Sequence, residues 1–77
     1  MELNDFISKF AEVFDETDVN TINAQTEYAE LDEWSSMIAL SVIAMIDAEY
    51  DVQIKANILR DCKTVEELFN KIKSIKG

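Results

Sequence analysis

Seventy-seven residues with sixteen acids, seven bases and a net charge of −9 make one small acidic domain over 1–77, and a chain of this size buries roughly 60–65% of the surface that it exposes when unfolded. That charge repels nucleic-acid phosphates and anionic lipid, so neither is an expected partner; it favours a basic protein surface, or serves only solubility. With no proline and a single glycine, Gly77, the turn chemistry of a many-stranded sandwich or barrel is missing. The expectation is an all-α fold, a small four-helix bundle with a long first loop and a short third helix.

Charge is uneven along the chain. Residues 1–54 hold thirteen acids and one base, a balance of −12, while residues 55–77 hold three acids and six bases, a balance of +3. The N-terminal residues alternate acidic and apolar side chains instead of presenting the basic end and apolar core of a signal peptide. The one cysteine, Cys62, has no internal disulfide partner, which suits a reducing compartment. A cytoplasmic monomer is expected.

In chain order, Leu3, Phe6, Ile7, Phe10, Val13 and Phe14 recur at three- and four-residue steps and predict an amphipathic helix over about 3–15. From Glu16 to Trp34 the periodicity breaks, leaving Val19, Ile22, Tyr28, Leu31 and Trp34 as scattered anchors. A connection this long is usually functional or contains short turns of its own. Next comes an apolar run opened by Ser35 and Ser36 and interrupted only by Ser41. A serine before such a run accepts a hydrogen bond from a free first-turn N–H, and the run is too short to cross a bilayer. Helical spacing puts Ala39, Leu40, Val42, Ile43, Ile46 and Tyr50 on one side, and Met37, Ile38, Ser41, Met45 and Ala48 on the other.

Beyond this helix, Tyr50, Val52 and Ile54 alternate with Asp51 and Gln53 as a short extended link, and residues 55–60 allow one or two helical turns with Ile58 and Leu59 inward. Thr64-Val65-Glu66-Glu67 has the pattern of a capping box, in which each side chain satisfies a free N–H of the other's neighbourhood. Val65, Leu68, Phe69, Ile72 and Ile75 then predict a helix over about 65–75, with Lys71, Lys73 and Lys76 near its negative end.

Chemistry by the chain alone is not expected. No histidine exists for a Ser–His or Cys–His pair, and one terminal glycine cannot build a phosphate cradle. Cys62 reads as a small, partly buried filler between two helices. Glu16, Asp18, Asn20 and Glu27 fall at positions 1, 3, 5 and 12 of a calcium loop. Thr21 stands where that loop wants glycine, however, and Asn23 where it wants an apolar residue.

Three stretches together carry a resemblance over essentially the whole chain. They are Trp34-Ser35-Ser36-Met37, then Ile43-Ala44-Met45-Ile46-Asp47-Ala48-Glu49-Tyr50-Asp51-Val52-Gln53-Ile54, and Thr64-Val65-Glu66-Glu67-Leu68. In this order of helix, loop and helix, the chain resembles the acyl carrier proteins. The resemblance implies a bundle of that type and a 4′-phosphopantetheine arm, taken from coenzyme A, on Ser36. It also implies a non-catalytic role: acyl, aminoacyl or polyketide groups are tethered as thioesters on the arm's thiol. Partners would be a phosphopantetheinyl transferase and acyl- or aminoacyl-loading and synthase enzymes of fatty-acid, polyketide, nonribosomal-peptide or cell-envelope pathways. The family's usual Asp-Ser-Leu is Ser35-Ser36-Met37 here, and its frequent glycine two residues before the Asp is Glu33.

The residues agree with this chemistry in one respect: a phosphodiester on a first-turn serine would sit beside free N–H groups and the positive end of the helix dipole. Fatty-acid carriers usually dock through acids along this helix, whereas here the outer side offers Met37, Ile38, Ser41 and Met45. With Ser35 they form an expected apolar docking patch rimmed by Glu30, Asp32, Glu33, Asp47 and Glu49. Two other classes remain open: an unmodified carrier-like interaction module, and a calcium-responsive helical domain.

Overall fold

The first helix, α1 (Leu3–Glu12), buries Phe6, Phe10 and Ala11 along one side, as its periodicity demands. The computed structural model describes residues 2–76. Among them are three further helices, α2 (Ser36–Tyr50), α3 (Ala56–Asp61) and α4 (Val65–Lys76), and no strand. The fold is therefore a small all-α assembly, and none of its described helices is long and apolar enough to cross a membrane.

The core is largely aromatic at the α1 end. Phe6 stacks at tilted angles against Tyr50 of α2 and Phe69 of α4, with ring centroids 5.8 and 5.6 Å apart. Phe10 continues this array to Tyr28, 5.7 Å away. Val42 and Ile46 of α2, Leu59 of α3, and Val65, Leu68 and Ile72 of α4 complete it. Each large side chain here is fully or almost fully buried, so truncating a phenylalanine costs about 3–5 kcal/mol.

The first helix ends earlier than the expected residue 15. Val13 and Phe14 close a tighter turn, donating to the carbonyls of Phe10 and Ala11. The following N–H groups leave the helical ladder because a carboxylate from later in the chain takes them, as described below. The long connection contains two single 3₁₀ turns, Val19–Thr21 and Tyr28–Glu30. Of its expected anchors, Ile22 and Tyr28 are buried, and Leu31 and Trp34 pack against the core. Val19, which opens its turn, is exposed instead, and the residue that caps the turn, Ile22, is buried.

Tyr28 is the loop's central anchor. It shows no exposed surface, and its hydroxyl lies 2.6 Å from the Leu59 carbonyl oxygen and 2.7 Å from that of Cys62. The hydroxyl proton thus serves carbonyls at the end of α3 that have no further helical turn to donate to them. Burial pushes the phenol well above its ordinary range, with the nearby Cys62 and Glu67 adding to the effect.

The start of α4 is also tied to the loop. The Thr64 hydroxyl accepts from Glu67 N–H at 3.2 Å, while the Glu67 carboxylate reaches Lys63 N–H at 3.5 Å, one residue before the cap. The two remaining first-turn donors go to loop carbonyls, Val65 N–H to Thr26 and Glu66 N–H to Ala24. Ile75, by contrast, is half exposed at the last turn. At the far end, Lys76 Nζ donates to the Tyr50 carbonyl at 2.8 Å and joins the termini of α4 and α2.

Candidate functional site

Ser35 has extended backbone angles, φ −155° and ψ 173°, and its hydroxyl accepts from Ile38 N–H at 3.2 Å. Its carbonyl accepts the first helical bond, from Ala39 N–H at 2.9 Å. Ser35 is therefore the cap, and Ser36 is the first residue of α2, exposed to solvent. One of the free N–H donors at this end is satisfied by the cap, and the positive pole of a fifteen-residue helix faces outward beside Ser36.

The residue two positions before the cap holds this entrance in place. Glu33 accepts hydrogen bonds from the consecutive N–H groups of Asp15, Glu16 and Thr17 at 2.8, 3.0 and 2.8 Å, and from the Thr17 hydroxyl at 2.8 Å. Three successive backbone donors make an anion-binding nest. Partial desolvation opposes ionisation of the carboxylate, but these four bonds outweigh it and hold Glu33 below its ordinary range. Glu33 is thus partly buried, with its carboxylate engaged by the exit from α1. Next to it, Trp34 packs against Tyr28 and Phe14, with centroids 5.0 and 6.3 Å apart.

A partly open cleft of about 420 Å³ begins at Ser35 and Ser36 and runs between α2 and α3. Its walls are Trp34, Ala39, Leu40 and Ile43 on one side, and Ala56 and Leu59 on the other. Arg60 is the one charged residue that lines it. Periodicity did not reveal this cleft, because it depends on where α3 settles against α2.

The outer face of α2 differs from expectation. Met37 and Ser41 are exposed, Met37 to 78%, and Ser35 is exposed with its hydroxyl engaged as the cap. Ile38 and Met45, expected to share that surface, are half-buried and pack against the core. Leu40, expected inward, is 63% exposed. The cause lies in the neighbours. The Asp5, Ser8, Lys9 and Glu12 side of α1 runs beside Met45 and Glu49, while α3 packs near Ala39 and Ile43. Lys9 pairs with Glu49 at 3.4 Å and lies over the Tyr50 ring, 5.1 Å from its centroid. Between these flanks the exposed stripe is Met37, Leu40, Ser41, Ala44 and Ala48.

The calcium template does not assemble. The Asp18 carboxylate caps its own 3₁₀ turn by accepting from Asn20 N–H at 2.9 Å, and Glu27 pairs with Thr64 in an isolated antiparallel bridge. Among the described residues, no three acidic, histidine or cysteine side chains form a group able to hold a metal ion. Cys62 is half-buried and packs against the core. Burial pushes its thiol above the ordinary value, with Glu67 adding to the shift and Lys71 opposing it. Burial and the neighbouring carboxylates outweigh Lys71, so the thiol is not activated as a nucleophile.

No family model, no curated protein and no solved structure matches this chain.

Proposed function

We propose that this chain is a carrier protein whose Ser36 takes a 4′-phosphopantetheine arm and presents acyl or related thioesters to partner enzymes. The observation that carries the reading is the placement of an exposed hydroxyl at the first position of α2, at the mouth of the largely apolar α2–α3 cleft. The chain itself is not the catalyst in this scheme. In loading, the bond from Ser36 Oγ to phosphorus forms as a pyrophosphate P–O bond of coenzyme A breaks. The adenosine bisphosphate half leaves, and the serine proton goes to a base on the transferase. Ser36 supplies only an accessible oxygen, and the residues that line the cleft with it include no carboxylate or histidine.

Presentation to enzymes falls to the exposed part of α2. Met37 and Leu40 offer exposed apolar area in the first turns of α2, Asp32 is exposed just before the helix, and Asp47 is exposed near its far end. Burial at such a centre supplies affinity, and surrounding charge mainly sets encounter rate.

The test is intact mass after incubation with coenzyme A and a broad-specificity phosphopantetheinyl transferase. Wild type and Ser35→Ala should gain one arm, whereas Ser36→Ala should gain none and stay folded. An unmodified wild-type mass would remove the proposal, and loading of Ser36→Ala would move the site elsewhere.

A further inference from the structure

Ser36 and Arg60 line the same cleft, from opposite helices, and every other lining residue is uncharged. Arg60 is exposed. Among the described residues the ion pair is Lys9–Glu49, and Arg60 forms none. In a chain with sixteen acids and seven bases, the one charge that shares the cleft with the attachment serine is thus a cation with no carboxylate bound to it.

We infer that the Arg60 guanidinium pairs with the phosphodiester of an arm on Ser36, so that the root of the arm lies across the α2–α3 cleft. This rests on the carrier reading above. A phosphodiester keeps one negative charge throughout the physiological pH range, and its two non-bridging oxygens match the planar fork of a guanidinium. The phosphate is the relevant anion, in preference to any charge on the carried group, because it is bonded directly to the Ser36 oxygen and cannot leave the cleft mouth. A carried group sits at the far end of a flexible arm and has no such constraint. The pairing also offsets the cost of adding an anion to a chain already at −9. A straight-chain ammonium would supply the charge without the paired geometry, so arginine and lysine are not equivalent here.

Wild type, Arg60→Gln and Arg60→Lys are each treated with coenzyme A and the transferase, and loading is read by intact mass. Phosphorus NMR then follows the phosphodiester, and nitrogen-15 NMR follows the Arg60 side-chain N–H and the amides of α3. Loading of wild type should shift the Arg60 N–H and the α3 amides, and added salt should reverse part of that shift. The phosphorus resonance should be displaced in Arg60→Gln and intermediate in Arg60→Lys. Far-UV circular dichroism should match wild type for both variants, since the side chain is exposed. A phosphorus resonance identical in wild type and Arg60→Gln, with an Arg60 N–H unmoved by loading, would overturn this inference alone. No mass gain on wild type would overturn the carrier reading and this inference with it.

Discussion

The Glu33 carboxylate lies 2.8 Å from both the backbone nitrogen and the hydroxyl oxygen of Thr17, sixteen residues earlier in the chain. Through this contact the exit from α1 and the entrance to α2 become one unit, and the cap at Ser35 follows two residues later. The helix α1 closes through i−3 bonds of Val13 and Phe14, and the three donors after them, Asp15, Glu16 and Thr17, serve the carboxylate.

Glu33 should make stability depend on acid. Its folded pKa is depressed from the ordinary 4.5 by the N–H and hydroxyl donors, which prevail over desolvation. A depressed carboxylate contributes stability that is complete above the unfolded pKa and lost as pH falls through the folded one. Glu33→Gln should therefore lower the melting temperature at neutral pH. The gap to wild type should close as pH falls below 4.5. Melting curves across that range would show whether the gap is instead constant.

Tyr28→Phe should destabilise the domain by about 1–3 kcal/mol, the cost of leaving buried acceptors unpaired. The ring's packing is retained, so the loss belongs to the carbonyls of Leu59 and Cys62. Urea denaturation should show a lower midpoint with an unchanged slope. Faster amide exchange should centre on α3, while α1 changes less.

Asp51 ends α2 in the left-handed region, φ 56° and ψ 40°, where a β-carbon is unfavourable. Asp51→Gly should raise stability by about 0.5 kcal/mol after the entropy that glycine loses on folding. Asp51→Val should lower it by about 1–2 kcal/mol. The order Gly, Asp, Val in denaturation midpoints is the readout, and a Val variant as stable as wild type would contradict it.

The exposed stripe of α2 makes two kinds of substitution separable. Met37→Glu and Leu40→Glu should keep the wild-type melting temperature within about 0.5 kcal/mol of stability, yet weaken docking to a partner enzyme. Ile38→Glu and Met45→Glu should destabilise by more than 1 kcal/mol, because their half-buried side chains pack against the core. Association rates should fall with moderate salt while most affinity remains. Indifference of docking to Met37→Glu and Leu40→Glu would place the contact elsewhere.

Much of the architecture was written in short-range pattern. The phenylalanine spacing of α1, the Ser35 cap, the extended alternation through Val52 and Ile54, and the Thr64–Glu67 cap all involve residues within one or two turns of each other. Periodicity and local hydrogen bonding act over that range, so these features could be read from the residues alone. The exposed Ser36 hydroxyl at the start of α2 belongs with them.

What only the tertiary structure decided is the roll of α2 and everything built across it. A helix apolar nearly all round carries no angular preference of its own, so packing by α1 and α3 turned Leu40 outward and drew Ile38 and Met45 inward. Glu33 looked like surface charge because its donors lie sixteen to eighteen residues away. Tyr28 looked like a generic anchor because its acceptors lie thirty-one and thirty-four residues ahead. Arg60 joined Ser36 only when α3 closed the cleft. Contacts of that range leave no periodic trace, since they depend on how completed helices meet.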